Sequence, residues 1–264
     1  ALSTSAMPED SVRFGTSGLR GLATAFTPDI CRAYVGAFID VAWTETCGDR
    51  VYIAADKRPS SPQIVACVAE AVASKDLVPI YLGVLPTPAL ASYAFARRSI
   101  SIMVTGSHIP PDYNGLKFYR HDGELTKEDE PDILARLEKP DERTPTPGML
   151  SFRTADGDAA RDYLDRYTKV FASDLLNGLR LGVDLHSGAG THLLSQVLES
   201  LGASVTLFGA ANDFLAVDTE ALDSDRFVLY RRMLRSHSLD AIVSADGDGD
   251  RPLLVDEIGE QVSG

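Results

Sequence analysis

Short apolar runs alternate with helix-like stretches along most of this chain, and this alternation constrains its fold more than any other feature. In the first half the apolar runs lie at 51–55, 78–82 and 100–104, and helix-like stretches at 63–74 and 89–97 follow the first two. Such alternation is typical of βαβ units that build a mixed or parallel sheet. The predicted fold class is therefore α/β.

The same alternation resumes after a proline-rich segment. Residues 139–148 carry Pro140, Pro145 and Pro147 among charged and polar side chains, which is typical of a linker. Beyond it, apolar runs lie at 179–185, 204–208, 240–244 and 252–255, and helix-like stretches at 159–176, 191–201 and 226–236. We therefore predict two similar domains, each a mixed βαβ sheet sandwiched by helices. They are residues 1–140 and 151–264, joined by a linker at 141–150.

Charge and composition narrow the set of partners. The 264 residues carry a formal net charge of −13, which repels nucleic acid and anionic membranes, so neither is an expected partner. No apolar run approaches the roughly 18 residues of a membrane-spanning helix, and residues 1–10 are not typical of a signal peptide. Cys31, Cys47 and Cys67 form no CxxC pair, which favours free thiols and a cytoplasmic location. A phosphorylated substrate would need local cations or a metal to offset this acidity.

An acidic loop follows the apolar run at 240–244. Asp246, Asp248 and Asp250 alternate with glycines, and three like charges so close are unfavourable unless a cation neutralises them. Oxygen ligands select hard cations, magnesium or calcium. Glu257 stands at the twelfth position of an EF-hand-like spacing, but the strand-like flanks disfavour that motif. The loop is a candidate magnesium site, with a solvated turn as the alternative.

A second polar loop contains Ser107 and His108 and follows the apolar run at 100–104. Neighbouring side chains in an extended loop point apart, and Ser107 lies in no G-x-S-x-G elbow, so a Ser–His hydrolase is disfavoured. A serine that carries phosphate needs a cation to spread its charge and an acid/base for the acceptor hydroxyl. A cation at the acidic loop and Lys117 could supply these. Ligands collect at the carboxyl ends of strands in open α/β sheets, where both loops are predicted.

Four segments carry a resemblance to a known family. They are Phe-Gly-Thr-Ser-Gly-Leu-Arg-Gly at 14–21, Asp-Lys-Arg-Pro-Ser-Ser-Pro at 56–62, residues 105–117, and Asp-Gly-Asp-Gly-Asp-Arg at 246–251. In their order and spacing the chain resembles the α-D-phosphohexomutases, which include phosphoglucomutases and phosphomannomutases. Within that family it looks most similar to the bacterial phosphomannomutase/phosphoglucomutase enzymes and less similar to the phosphoglucosamine mutases.

The resemblance implies a role for each matched residue. Ser107 would be the phosphoserine, and Lys117 the general acid/base. The implied magnesium ligands are the Ser107 phosphate, Asp246, Asp248 and Asp250. The residues implied around the transferred phosphoryl group are Arg20, His108 and Arg251. The implied reaction moves phosphate between the 1- and 6-positions of a hexose through a hexose 1,6-bisphosphate, which also acts as an activator.

The chain departs from the family pattern at a few positions. Ile109 stands where Asn is usual, Gly249 replaces a common Ala, and His186–Ser187 replaces an Asn-Gly pair. Family members have four domains, so we expect further C-terminal domains that recognise the sugar and its distal phosphate.

Two alternatives to the mutase stay open at this point. A non-catalytic relative would bind a sugar phosphate or metal without turnover. A magnesium-dependent phosphatase would use an acidic-loop Asp as its nucleophile, but that reaction leaves Ser107 and Lys117 without a role.

Overall fold

The computed structural model describes residues 12–15, 18–137, 153–154, 157–211 and 214–262. The predicted linker at 141–150 lies outside them. In the first half the elements are β1 (Arg13–Phe14), β2 (Leu19–Leu22), α1 (Pro28–Ala42), β3 (Arg50–Ala55), α2 (Ser61–Ala73), β4 (Val78–Val84), α3 (Thr87–Ala96), β5 (Ser101–Val104), β6 (Tyr113–Tyr119) and α4 (Asp129–Leu137). In the second half they are β7 (Arg153–Thr154), α5 (Asp158–Thr168), β8 (Arg180–Asp184), α6 (Thr191–Ser200), β9 (Ser204–Phe208), α7 (Ser224–His237), β10 (Ala241–Ala245) and β11 (Pro252–Val255).

The first sheet has seven strands in the order β1-β2-β6-β5-β3-β4-β7. Strands β5, β3, β4 and β7 pair in parallel, whereas β6, β2 and β1 are antiparallel to their neighbours, so the sheet is mixed. Side chains of β3 alternate between the two faces, as the strand period requires. Val51 and Ile53 pack with α1, α2 and α4 on one face, and Tyr52 and Ala54 pack with α3 and α5 on the other.

Helix α1 shows how local sequence produces one of these layers. Thr27 caps its N-terminus, with Oγ1 accepting a hydrogen bond from the amide of Ile30 at 3.3 Å, and Pro28 occupies the first helical turn. The buried side chains recur at helical spacing and form one apolar face against the sheet: Cys31, Tyr34, Val35, Phe38 and Ile39. The first domain therefore has a core on each face of its sheet.

The second sheet has four strands in the order β11-β10-β8-β9. Strands β8, β9 and β10 are parallel and β11 is antiparallel to β10, so this sheet is also mixed. Tyr230 and Leu234 of α7 pack against Ile242, Leu253 and Val255 of the sheet. The predicted fold class, two α/β domains with mixed sheets, is confirmed.

Several local predictions need correction. The helix predicted at 159–176 ends at Thr168, because the chain then enters turns closed by hydrogen bonds from Leu175 N to Ala172 O and from Asn177 N to Asp174 O. Residues 113–117, predicted as loop, belong to β6, which pairs with both β2 and β5. Helices α1 and α4 were not predicted.

The first sheet also receives residues from beyond the predicted linker. Strand β7 pairs in parallel with β4, and Ala159 of α5 packs in the core of the first domain. All three cysteines are buried free thiols. Over the described part of the chain, no helix combines the length and apolar character needed to cross a bilayer.

Candidate functional site

Two loops from different sheets meet at the ends of β5 and β10. The hydroxyl of Ser107, which follows β5, donates a hydrogen bond to Asp246 Oδ2 at 2.7 Å. Both side chains are buried. The structure therefore brings together the serine loop (residues 105–112) and the acidic loop (residues 246–251), which lie far apart in the sequence.

Ser107 has an unusual backbone conformation. Its φ is +52°, in the left-handed region that non-glycine residues rarely adopt. Its amide donates to Thr105 Oγ1 at 2.8 Å, and His108 Nδ1 lies 3.4 Å from its hydroxyl. This conformation points the Ser107 hydroxyl at the acidic loop.

The acidic loop holds more carboxylate oxygens than its protein partners satisfy. Asp246 Oδ1 accepts from the amides of Gly249 at 3.1 Å and Arg251 at 3.2 Å. Asp248 Oδ1 is buried and has no hydrogen-bond partner among the described residues. Burial, and then the charge of Asp248, raise the pKa of Asp246 to about 7.

The donor set fits a hard divalent cation. One carboxylate oxygen from each of Asp246, Asp248 and Asp250 lies within 4.8 Å of the others. All three ligands are oxygens, and the unpartnered Asp248 oxygen would gain a partner from a bound ion. The acidic triad could therefore bind a metal.

Lys117 reaches the same triad from β6. Its ammonium donates to Asp248 Oδ2 at 2.6 Å and to Asp250 Oδ2 at 2.5 Å. Burial alone would lower the pKa of Lys117, but the attraction of the two carboxylates outweighs it and raises this pKa. Lys117 is thus a buried ammonium that balances part of the charge of the triad.

Thr87, at the start of α3, is a contact that the sequence did not reveal. Its amide donates to the carbonyl of Asp248 at 2.8 Å, and its hydroxyl donates to Asp248 Oδ2 at 2.5 Å. A threonine that begins a helix after Pro86 carries no signal of chemistry. Its role in holding the acidic loop against the first domain appears only in the structure.

The remaining predicted residues are Arg20, His108 and Arg251, and of these His108 lies beside the serine hydroxyl. Arg20 lies half-buried in β2, and the Arg251 guanidinium donates to Glu220 at 3.2 Å. Burial, followed by the charges of Arg251 and Arg20, lowers the pKa of His108. His108 is therefore neutral at neutral pH, and Arg251 and Arg20 lie close enough to disfavour its charged form.

Arg58 and Asp56 support the serine loop and had no role assigned from the sequence. Arg58 is 1% exposed and forms an ion pair with Asp56, Nε to Oδ2, at 3.1 Å. Asp56 also accepts a hydrogen bond from Thr105 Oγ1 at 2.8 Å. Charged residues directly after a buried strand were an available signal, because that position places them at the carboxyl end of the strand.

The departures from the family pattern lie next to these contacts. The Ile109 side chain is half-buried, and its carbonyl accepts from Arg58 at 2.6 Å. His186 is buried with φ +24°, and its Nε2 lies 2.7 Å from the carbonyl of Ala245, directly before the acidic loop. The His186 side chain therefore supports the acidic loop by contact with the backbone carbonyl of Ala245.

A cavity of about 100 Å³ opens beside the site. Its lining includes Lys117 and Asp250 together with Lys127 and Glu130 of the first domain. Lys127 donates to the carbonyl of Gly15 at 2.8 Å, which ties the N-terminal segment to this rim. A small molecule can thus approach Lys117 from solvent.

Comparison with known families gives a match in each half of the chain. Residues 11–144 match the family model for phosphoglucomutase/phosphomannomutase alpha/beta/alpha domain I, and residues 161–259 match the model for domain II. The chain belongs to the phosphoglucomutase/phosphomannomutase family. The two matched segments follow one another in the same order as the two sheets.

Individual members of this family are similar over nearly the whole chain. A phosphomannomutase of Salmonella muenchen is 41% identical over 259 residues, which are 97% of this chain and 52% of that protein. A phosphomannomutase of Sinorhizobium fredii is 39% identical over 257 residues, 96% of this chain and 54% of that protein. The chain thus spans about half the length of these relatives.

A solved structure extends the likeness to the fold. The crystal structure of a phosphoglucomutase/phosphomannomutase family protein from Burkholderia thailandensis superposes with a TM-score of 0.73 at 24% identity. The match covers 92% of this chain and 54% of that chain.

Proposed function

We propose that the chain forms the phosphoserine and metal-binding domains of a phosphosugar mutase. The observation that carries this proposal is the 2.7 Å hydrogen bond between the Ser107 hydroxyl and Asp246 of the acidic triad. A phosphoryl group on Ser107 would stand beside the triad, where a cation can offset its charge. The phosphomannomutase relatives support a hexose phosphate as the substrate.

The proposed reaction has two half-reactions. In one half-reaction the bond from Ser107 Oγ to phosphorus breaks, and a bond from phosphorus to a sugar hydroxyl oxygen forms. Lys117 acts as the base only after its ammonium has released one proton to solvent. The neutral amine then takes the proton of that hydroxyl, and Ser107 Oγ takes up one proton from solvent, so the proton count is restored. The second half-reaction returns the other phosphate of the hexose 1,6-bisphosphate to Ser107.

The acidic triad and the Ser107 phosphate are the proposed ligands of Mg²⁺. When bound, Mg²⁺ would draw charge from the phosphoryl oxygens and weaken the hold of Asp248 and Asp250 on the Lys117 proton. Arg20, His108 and Arg251 are the proposed contacts of the phosphoryl oxygens. Within the site, the positive charges of Arg20 and Arg251 offset the net charge of −13, which otherwise repels a phosphorylated substrate.

We further propose that C-terminal domains complete the protein. The relatives are about twice as long as the matched region, and the sugar and its distal phosphate would bind in the remainder. Charged sugar phosphates do not cross membranes unaided, so a cytoplasmic location follows from this substrate.

Phosphoryl uptake by Ser107 tests the proposal. The protein, with any C-terminal domains present, is incubated with glucose 1,6-bisphosphate or mannose 1,6-bisphosphate and Mg²⁺, and its intact mass and phosphopeptides are measured. We expect one phosphoryl group on Ser107 and none after Ser107→Ala. Ser101→Ala, which removes another buried serine hydroxyl of this region, is the matched control and should take up phosphate normally.

The result also separates the alternatives. A wild-type protein that binds Mg²⁺ and hexose phosphate but never takes up phosphate would be the non-catalytic relative. A Ser107→Ala variant that still hydrolyses a sugar phosphate would be the phosphatase. Either result would overturn the mutase proposal.

A further inference from the structure

We propose that Arg58 is a positioning residue that holds the backbone of the serine loop in the conformation needed for phosphoryl transfer. This inference rests on the proposed function of Ser107. Arg58 acts through carbonyl oxygens of the loop and through Asp56, and not through contact with the substrate.

The guanidinium of Arg58 uses every N–H donor it has. Nη1 donates to the carbonyls of Pro110 at 2.6 Å and Tyr113 at 2.9 Å. Nη2 donates to the carbonyls of Ile109 at 2.6 Å and Ser107 at 3.0 Å. Nε donates to the carboxylate of Asp56 at 3.1 Å. An arginine has five such donors in a planar fork, and here each has an acceptor.

Asp56 ties the start of the same loop to this arginine. Its carboxylate accepts from Thr105 Oγ1 at 2.8 Å and from the amide of Gly106 at 3.2 Å. It also accepts from Ser61 Oγ at 2.7 Å. The ion pair therefore holds the chain on both sides of Ser107. The Thr105 hydroxyl and the Gly106 amide bind its anionic end, and loop carbonyls bind its cationic end.

The loop needs this support because its carbonyls converge. Four carbonyl oxygens from residues 107–113 point at one centre, and they would repel one another without a cation between them. Ser107 is also held at a φ of +52°. If Arg58 lost its contacts, the peptide group of Ser107 would be free to turn. The Ser107 hydroxyl would then move away from the acidic triad.

Two further contacts show that the site is built for an arginine. Arg58 lies over the ring of Phe214, 4.5 Å from its centroid, so a residue of the second domain covers it. A Cβ added to Gly106 would lie 2.5 Å from the guanidinium carbon, so only glycine leaves room for the fork. A lysine at this position could not replace the planar guanidinium or donate to all four carbonyls, since its ammonium is a point charge with three donors.

The test compares Arg58→Lys and Gly106→Ala with a matched control, Arg97→Lys. Arg97 also makes an ion pair, with Asp162, and stacks over Tyr93, but both partners lie outside the two loops of the site. Each protein receives glucose 1,6-bisphosphate and Mg²⁺, and the rate of phosphoryl uptake by Ser107 is followed by intact mass over a range of bisphosphate concentrations. Backbone hydrogen exchange of residues 105–109 is measured in parallel.

We expect Arg58→Lys to lower the maximal rate of uptake about 100-fold, the effect of a misplacement of about 1 Å. The half-saturating bisphosphate concentration should stay within about threefold, because Arg58 does not bind the substrate. Exchange at residues 105–109 should accelerate, whereas the shift in melting temperature caused by Mg²⁺ should persist. Gly106→Ala should behave alike, and Arg97→Lys like wild type.

Each other outcome decides the question. Wild-type uptake and unchanged loop exchange in Arg58→Lys would overturn the proposal. A loss of uptake rate that is fully explained by the fraction of unfolded protein would also overturn it. If Arg58→Lys does not fold, Gly106→Ala decides by the same criteria. If the wild type takes up no phosphate, the proposed function fails, and loop exchange alone supports or overturns the positioning role.

Discussion

The two loops that meet at the site are stabilised in opposite ways. The serine loop surrounds a buried ion pair, Arg58–Asp56, whose charges cancel and whose hydrogen bonds are nearly all used. The acidic loop gathers three carboxylates, of which Asp248 and Asp250 pair with the ammonium of Lys117, and leaves a buried oxygen of Asp248 without a partner among the described residues.

This difference indicates that the serine loop is held by protein groups, whereas the acidic loop is arranged to bind a cation. The serine loop is complete with protein groups alone, so it presents Ser107 in a fixed place before any ligand arrives. The acidic loop carries an excess of negative charge that a proton on Asp246 or a further cation can balance. Two buried aspartates, Asp56 and Asp246, should therefore respond to the same substitution in opposite ways.

The largest expected effect is that of Asp56→Asn on the serine loop. Removal of one charge of a buried ion pair leaves Arg58 uncompensated and should lower the free energy of unfolding by about 3 kcal/mol. Because no metal acts there, the loss should be the same with and without Mg²⁺. Urea unfolding in both conditions measures it. A loss below about 1 kcal/mol, as for an exposed pair, would contradict the role of this ion pair.

Asp246→Asn should act only through the metal. Burial and the charge of Asp248 raise the pKa of Asp246 to about 7, so the ionised form is unfavourable without a cation, and the metal-free variant should be at least as stable as wild type at pH 8. Mg²⁺ at 100 times its Kd should stabilise wild type by about 2.7 kcal/mol and the variant much less.

Thermal unfolding with and without Mg²⁺ makes this measurement. Asp225→Asn, an exposed aspartate of α7, is the matched control and should keep the full gain. A full Mg²⁺-induced gain in Asp246→Asn would remove Asp246 from the set of ligands.

A smaller effect concerns pH. Burial lowers the pKa of His186 below its ordinary value of 6.5, so the unfolded chain binds this proton first as the pH falls. The free energy of unfolding that the neutral His186 contributes is fully present above pH 6.5. It falls below pH 6.5 by at most about 1.4 kcal/mol per pH unit. The lowered pKa of His108 in the serine loop acts in the same direction, so His186 supplies only part of the total loss.

His186→Asn should remove the part of this acid-side loss that His186 supplies, since Asn tolerates the positive φ at this position. Urea unfolding of the second domain at pH 7 and pH 5.5 compares it with wild type and with His237→Asn at the end of α7. If the free energy of unfolding falls equally from pH 7 to pH 5.5 in all three proteins, then the pKa of His186 is the same in the folded and unfolded states.

The smallest effect is expected for Ile109→Asn. Arg58 binds the carbonyl of Ile109 and not its side chain, so the free energy of unfolding should change by less than about 0.5 kcal/mol. Hydrogen exchange of the serine loop should also stay the same. A clear acceleration would show that the Ile109 side chain helps to hold the loop.

The sequence predicted the parts of this molecule whose signals are local. The alternation of apolar runs and helical stretches predicted both mixed sheets, because the hydrophobic periodicity of a strand or helix depends only on residues close in the sequence. The acidic triad was also visible, since three carboxylates spaced by glycines need no tertiary information. The roles of Ser107 and Lys117 came from the family resemblance and remain proposals.

The contacts that assemble the site were not visible in the sequence. Lys117 meets Asp248 across 131 residues of chain, and Thr87 meets it across 161. The support from Arg58 was missed because its main acceptors are backbone carbonyls, which every residue carries. Strand β6 was read as loop because Pro110, Pro111 and Gly115 are turn formers, and pairing with strands on both sides outweighs that preference.

The placement of Lys117 in a paired strand has a consequence for sequence variation. In β6 it lies opposite Met103 of β5, and successive side chains of a strand face opposite sides of the sheet. An insertion or deletion of one codon between Ser107 and Lys117, if absorbed by the strand, would turn the ammonium to the far side of the sheet. Homologous genes should therefore vary in this interval by substitution and not by length, and a single-codon deletion there should make a null allele.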